Sequence, residues 1–257
     1  MSSLLEAREL GFERSGRAVL DAVDIELEAG ECLGIIGPNG AGKTSLLRLL
    51  AGIETADRGC VLYEGQALQA MSSDLRARRL GYHPQNPELH WPLTVRDILL
   101  LGRLPHRGRY AAPDAADTAA IARAVAMTGL EPLLERRGDT LSGGELTRVH
   151  LARLLAGEHR VLLADEPIAN LDPRFQLEIL SLLQAHARRG GGTLVVLHDL
   201  ALAARFCDRL ILLDHGRVET VDRPAGVLTP IRLAAVFGVG DDYHRLSGIQ
   251  AALDLDA

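Results

Sequence analysis

The apolar and polar positions of this chain change period several times, and each change marks an element. Val23, Ile25 and Leu27 alternate with Asp24, Glu26 and Glu28. A period of two is that of a half-exposed strand, so an antiparallel partner is expected around Leu4 to Glu13. After Ala29-Gly30, the run Cys32-Leu33-Gly34-Ile35-Ile36 is continuously apolar, as a fully buried strand is. Leucines at 46, 47, 49 and 50 then predict a helix from Thr44 to Ala51. Cys60 to Tyr63 and Leu80 to His83 are two more short strands, the second ended by Pro84.

From Asn86 to about Thr140 the pattern turns helical. Thr94 and Asp97 form a capping pair for a helix through Leu101. Gly102 to Pro113 is basic and proline-bearing, hence loop, and the alanine-rich stretch Asp114 to Thr128 is a second helix with Ile121 and Val125 on one face. Strand character resumes at Val161 to Asp165. Asp172-Pro173 reads as an N-cap and first-turn proline of a helix running to Arg189, with Phe175, Ile179, Leu180 and Leu183 inward and Gly190 as its stop. Thr193 to Leu197 is a buried strand. Arg209 to Val221 is a hairpin turning at Asp214-His215-Gly216, and Pro224 to Gly238 holds short helices. Strands alternating with helices predict an α/β chain.

The stretch Gly37-Pro38-Asn39-Gly40-Ala41-Gly42-Lys43-Thr44 has the form G-x-x-x-x-G-K-T, and it lies between the predicted strand and helix where such a phosphate-binding loop belongs. Glycines let backbone N–H groups turn inward toward phosphate oxygens, and the following helix adds the positive end of its dipole. Lys43 brings a point charge to the β- and γ-phosphates, and Thr44, followed by Ser45, offers a hydroxyl to Mg²⁺. Lys43 is also the only lysine beside 27 arginines, at a place where a compact ammonium fits better than a planar guanidinium.

Bulk properties narrow the function. A formal net charge of −6 argues against bulk nucleic-acid binding. Three widely spaced cysteines, Cys32, Cys60 and Cys207, fit a reducing compartment and no structural metal. The first residues lack the basic and apolar regions of a signal peptide, and no apolar run approaches the ~20 residues that span a bilayer.

Five further pieces follow the loop in order. Val161 to Ala164 ends in the acid pair Asp165-Glu166; an acid at the carboxyl end of a buried strand can orient Mg²⁺, and its neighbour can position an attacking water. Leu141-Ser142-Gly143-Gly144-Glu145 is a second glycine turn, before a helix from Glu145 to Ala156. Gln85 follows Tyr82-His83-Pro84. Asp172 closes Ile168-Ala169-Asn170-Leu171-Asp172, where a plain helix N-cap is an equal reading. His198 follows the strand Thr193 to Leu197.

With these in sequence, the chain resembles the nucleotide-binding subunit of an ABC transporter from about Leu4 to Val239. The resemblance implies a P-loop NTPase core with an antiparallel β subdomain and an inserted α-helical subdomain. It also implies one domain over 1–240, the insertion at about 86–158, and a tail at 241–257. It implies a Mg²⁺-dependent ATPase with the P-loop residues Gly37 to Ser45 on ATP. Thr44, Gln85 and Asp165 would lie on Mg²⁺, with Glu166, His198 and Gln85 catalytic. Ser142, Gly143 and Gly144 would contact the γ-phosphate of ATP held by a second copy, and Asp172 would cross the dimer interface. Where this family has an aromatic to stack on adenine the chain has Arg14, with Phe12 inside the first strand; Arg14 can stack its guanidinium instead, or the loop can shift. Partners implied are a second copy, permease subunits in the membrane and a separate substrate-binding protein, with the chain on the cytoplasmic face of the inner membrane.

Leu99 to Gly108, Val227 to Pro230 and Val236 to Val239 are similar to stretches of importer ATPases for iron–siderophores, haem and cobalamin. In those, Asn86 to Arg103 would receive a permease helix, with His90, Trp91 and Leu93 in contact or else simply core. An ATPase of another transporter, an exporter included, and a soluble ABC ATPase of translation or DNA repair are the other readings. A single P-loop and the absence of a heptad run weigh against the last.

Overall fold

The computed structural model describes residues 3–85, 92–107, 111–169, 171–240 and 248–254. The chain opens with two long strands, β1 (Ser3–Arg14) and β2 (Arg17–Glu28), then β3 (Cys32–Ile36), helix α1 (Lys43–Leu50), and strands β4 (Arg58–Tyr63) and β5 (Gln66–Ala67). Helix α2 (Ser73–Arg79) leads into β6 (Leu80–His83). Three helices follow, α3 (Val95–Leu101), α4 (Ala115–Thr128) and α5 (Gly143–Ala156). Then come β7 (Val161–Asp165), α6 (Pro173–Arg188), β8 (Gly192–Val196), α7 (Leu200–Phe206) and the hairpin β9 (Arg209–Asp214) and β10 (Arg217–Asp222). Helices α8 (Pro224–Val227) and α9 (Pro230–Phe237) and a last helix Ile249–Leu253 complete the described chain.

The strands form two sheets. The antiparallel one has the order β2-β1-β4-β5, with the expected pairing of β1 and β2 from Ser3↔Glu28 to Arg14↔Arg17. The second has the order β10-β9-β3-β8-β7-β6, parallel throughout except at the β9–β10 edge. Along its inner strands alternate side chains enter different cores. Leu33, Ile35, Leu163 and Val196 meet β1, β2 and α1 on one face. Ile36, Leu162, Ala164 and Val195 meet α5, α6 and α7 on the other. Burial on both faces explains why these strands read as unbroken apolar runs. The β9–β10 turn has His215 at φ 44° and Gly216 at φ 78°, the doubly left-handed turn that matches strand twist.

The capping signal is realised at α3, where Thr94 and Asp97 form a reciprocal box; α4 opens with a second box, Asp114 with Asp117, that the sequence reading had not picked out. Two expectations need correction. Asp172 occupies the N-cap position of α6, but its side chain accepts no capping hydrogen bond; Pro173 leaves one fewer N–H to satisfy. The helix after the second glycine turn starts at Gly143 rather than Glu145, because Ser142 and Glu145 form a capping box that pulls both glycines into the first turn. Helix α2, with no fully buried residue, and the last helix have no apolar stripe to announce them.

Helices α3, α4 and α5 enclose a third core of their own, built on Val95, Ile98, Leu99, Ile121, Val125 and Val149. Leu93 packs half-buried against it, which makes it core in this chain, while His90 and Trp91 lie outside the described residues. A buried ion pair fixes the insertion. Arg103 Nε donates to Asp117 at 2.9 Å, and its Nη1 donates to the Ala156 carbonyl at 2.9 Å and to Glu158 at 2.8 Å. One guanidinium thus ties the ends of α3 and α5 to the start of α4. The same guanidinium, by hydrogen bond, holds the Asp117 carboxyl below its usual pKa.

Removing one partner of a buried pair strands the other. Asp117→Ala is expected to lower unfolding free energy by about 3 kcal/mol in urea titrations, whereas breaking the exposed Arg174–Glu178 pair should change it by about 0.5 kcal/mol at most. The Asp117 contribution is present above the ordinary carboxylate pKa and is lost as pH falls through its lowered folded value, so the two proteins should converge in acid. An unchanged urea midpoint for Asp117→Ala at neutral pH would refute the assignment.

Candidate functional site

The carboxyl ends of four neighbouring parallel strands, β3, β8, β7 and β6, deliver the site. Hydrogen-bonded register aligns Ile35 of β3, Val196 of β8 and Asp165 of β7 in a row across the sheet. The glycine loop leaves β3, His198 follows β8, Asp165-Glu166 end β7, and Gln85 lies just past β6. Open α/β sheets present their ligand sites at this edge.

The loop needs its glycines for two physical reasons. Gly37 has φ 151°, and a Cβ there would lie 2.0 Å from the Leu213 carbonyl oxygen. Gly42, the N-cap of α1, has φ 102°, a conformation that L side chains avoid. Helix α1 carries no side-chain cap and no acid in its first turn. Its first N–H groups are therefore unsatisfied within the helix and present a positive dipole end. Pro38, Asn39, Gly40 and Ala41 complete the curl, and the loop is pinned from behind by the Gly216 N–H donating to Ala41 at 3.1 Å.

Lys43 folds back over this curl. Its Nζ donates to the carbonyls of Gly37 at 2.7 Å and Pro38 at 2.9 Å, and only 7% of the residue is exposed. Burial lowers its pKa, while the nearby carboxylates of Glu166 and Asp165 oppose that shift. Asp165 is fully buried, and neither carboxylate oxygen has a hydrogen-bond partner among the described residues. Burial pushes its pKa up, with the nearby Thr44 hydroxyl, Arg48 and Lys43 opposing. Buried polar groups without a partner are rare, and one such explanation is an ion that completes them. A hard divalent cation takes oxygen ligands, and Asp165 and the Thr44 hydroxyl supply them; the donor set fits Mg²⁺.

Glu166 stands one residue past the strand at φ 49°, a left-handed conformation costly for a non-glycine residue and concentrated at functional sites. His198 Nε2 donates to Glu166 Oε1. Glu166, Gln85, Asn39, Gly40, Gly42, Lys43, Thr44 and Ser45 line one open cleft of about 270 Å³. The sequence reading missed one lining residue, Val19 of β2, because nothing in a strand alternation distinguishes a residue at the rim of a site from its neighbours.

Other expected site residues lie elsewhere. Arg14 ends β1 on the surface, donates to Glu54 at 2.6 Å and rests over Phe12 at 5.8 Å. It does not line the cleft. Ser142, Gly143 and Gly144 open α5 and also lie outside the cleft lining. The Ser142 hydroxyl accepts from the Glu145 N–H at 3.3 Å, which leaves its own proton to donate. A Cβ on Gly143 would meet nothing within 4 Å. Asp172 is exposed at the start of α6.

A model of the ABC transporter family matches residues 20–169. The hemin import ATP-binding protein HmuV of Pseudomonas entomophila is 43% identical over 241 residues, 92% of this chain and 93% of that protein. The cobalamin import ATP-binding protein BtuD of Halobacterium salinarum is 40% identical over 234 residues, 91% of this chain and 58% of that protein. Among solved structures, an ATP-binding cassette in a dimeric, post-hydrolysis state bound to ADP and Pi is similar with a TM-score of 0.76 and 26% identity, over 86% of this chain and 99% of that one.

The orphaned carboxylate at Asp165 makes a prediction independent of any ligand. Its raised pKa means that folding disfavours the charged form, so the wild type loses stability as pH rises through the folded value. Asp165→Asn should raise the thermal midpoint of the ligand-free protein at pH 7.5, and the gain should shrink toward pH 4. A midpoint that falls at pH 7.5 would mean that the carboxylate is satisfied in solution.

Proposed function

The chain belongs to the ABC transporter family, and on that footing we propose that it is the ATP-hydrolysing subunit of an importer for haem, cobalamin or an iron chelate. The observation that carries the chemistry is the convergence of Lys43, Thr44, Gln85 and Glu166 on one cleft, with Asp165 buried at its edge. The relationship to hemin and cobalamin import ATP-binding proteins carries the direction of transport and the ligand class.

In this reading the curl from Gly37 to Gly42 and the uncapped start of α1 hold the phosphates of ATP, with Ser45 beside them. Lys43 releases its two carbonyls to reach the β- and γ-phosphates. Thr44, Asp165 and Gln85 would hold Mg²⁺, which when bound would supply positive charge to the phosphoryl group. Glu166 orients and deprotonates the attacking water, and His198 holds the Glu166 carboxylate and faces the γ-phosphate. Most of the rate comes from positioning and preorganised charge. Base stacking falls to Arg14 if it leaves Glu54, and Val19 offers the cleft an apolar rim.

A single copy then holds two half-sites. Two copies, head to tail, bring Ser142, Gly143 and Gly144 of one onto the γ-phosphate bound by Lys43 of the other, with Asp172 at the crossing. Such an interface is isologous and closed. The open space beyond Gly143 and the donor left on Ser142 suit an approach from outside the chain. Hydrolysis removes a phosphate that both copies grip, and the dimer opens. No helix among the described residues is long and apolar enough to cross a membrane, so permease subunits are assigned the crossing, with a separate substrate-binding protein delivering the ligand. We place the chain on the cytoplasmic face of the inner membrane. We treat 1–240 as one ATPase domain with a helical part at about 86–158, followed by a tail at 241–257.

Glu166→Gln should lower kcat by about 10²- to 10⁴-fold, the usual worth of a general base, and trap an ATP-bound dimer visible by size-exclusion chromatography. Rapid turnover by this variant would remove Glu166 from the role. In whole cells, Lys43→Ala should abolish uptake of one ligand in a panel of haem, cobalamin, ferric siderophores and free metal ions. Undiminished uptake of all four with the variant expressed would refute the importer reading.

A further inference from the structure

Helices α5 and α6 start at two turns that stand outside the cleft lining, and one side-chain contact joins the helices near those starts. The guanidinium carbon of Arg148 lies 4.2 Å from the centre of the Phe175 ring. The other arginine–aromatic stacks among the described residues are Arg14 over Phe12 at 5.8 Å and Arg205 over Phe206 at 5.4 Å, and each lies within one element. The Arg148 stack is closer, and it bridges two helices that are separated in the chain by β7 and Glu166. Both partners are half-buried, and Phe175 packs at the edge of the core beneath the parallel sheet. A guanidinium on an aromatic face is attracted by the ring quadrupole, more strongly as water is removed.

Each partner is fastened to one of the turns. Ser142 and Glu145 form the capping box of α5, and the Thr147 hydroxyl donates to the Gly143 carbonyl at 3.0 Å. Arg148, the next residue, is therefore carried on the same stiff start as the glycine turn. On the other side, the Gln176 N–H donates to the Asp172 carbonyl at 3.0 Å, and the Leu171 N–H donates to the Ile168 carbonyl at 3.3 Å. Phe175 is therefore carried with Asp172. Ser142, Gly143 and Asp172 are all exposed. The stack is a strut between two exposed turns that are distant in sequence.

We propose that Arg148 and Phe175 are positioning residues for ATP hydrolysis: their stack holds the glycine turn at 142–144 and Asp172 at one spacing, so that both meet the second copy as a single preformed surface. Association costs the freedom of whatever is still mobile when two surfaces meet, so turns fixed beforehand bind more tightly. This inference rests on the head-to-tail reading above.

The test uses the full-length chain carrying Glu166→Gln, with ATP and Mg²⁺, and reads the dimer dissociation constant by analytical ultracentrifugation. Phe175→Leu keeps apolar bulk and loses the ring; Arg148→Met keeps the stem and loses the charge. Each, added to Glu166→Gln, should weaken the dimer about fivefold, the scale of one cation–π contact. Phe175→Tyr, which keeps a ring, should restore it. The double variant should be no weaker than either single one, since both break one contact. Binding of a fluorescent ATP analogue to protein diluted below the dimer range should not change. With Glu166 intact, Phe175→Leu should lower turnover in dilute protein and recover it as the protein is concentrated, which a defect in the chemistry would not do. A dimer of undiminished strength in Phe175→Leu would overturn the proposal and leave the ATPase reading standing. So would additive losses in the double variant, or a loss that tyrosine does not restore and a lowered thermal midpoint accompanies. A Glu166→Gln parent that forms no ATP-dependent dimer would overturn the head-to-tail reading and the proposal with it.

Discussion

A buried ammonium held by carbonyls sets the terms for this molecule. Lys43 Nζ is bound by Gly37 and Pro38 of its own loop. The carboxylates that would neutralise it, on Asp165 and Glu166, are near enough to oppose the lowering that burial imposes on its pKa but make no salt bridge with it among the described residues. Opposite charges in a low-dielectric setting attract strongly. Holding them apart requires a scaffold that does not yield. The scaffold is the parallel sheet, whose register places the end of β3 and the end of β7 on either side of β8. Each strand is packed on both faces, so neither end can drift toward the other without opening a core.

The same constraint accounts for the strained points. Gly37 cannot carry a side chain because the Leu213 carbonyl occupies its place, so the loop is seated on β9 as well as on β3. Glu166 adopts a left-handed backbone because two successive carboxylates at a strand end must serve different directions. Asp165 continues the strand and is buried; Glu166 breaks from it and meets His198 across the end of β8. Strain at Glu166 and desolvation at Asp165 are costs borne by the resting molecule, and both fall at the end of β7 beside the cleft that Lys43 and Thr44 line.

How much of this was legible in the sequence depends on how local each feature is. Strand, glycine loop and helix are contiguous, and Gly37 to Thr44 therefore announced the loop that lines the cleft. The buried strands announced themselves by unbroken apolar runs, and the cap at Thr94 by its partner Asp97 three residues on. Features that arise between distant segments were silent. The Arg103–Asp117–Glu158 network joins three helices, and a run of basic residues before Pro113 read as solvated loop. Arg14 stood at a position suggesting a base contact, yet Glu54 lies beside it in the fold and claims its guanidinium. Asp172 had the residue type of a cap without the side-chain bond. Val19 and the last helix carried no pattern of their own.

Helix α5 is shared between two of the cores. Its Val149 and Ala152 belong to the core of the helical insertion, while Leu151 and Leu154 belong to the core beneath the parallel sheet. Arg148 lies 4.2 Å over the ring of Phe175 at the start of α6, a contact that ties α5 to the segment after Glu166 as well. A helix shared between two cores cannot move with one and ignore the other. Its N-terminus carries Ser142 and the open face of Gly143, its middle meets β6 below Gln85, and Arg148 meets the helix after Asp172. The glycine turn at 142–144 is therefore mounted on a helix that packs on β6, the strand leading to Gln85, and on α6, the helix following Glu166, so its position is fixed by packed side chains rather than by a loop alone.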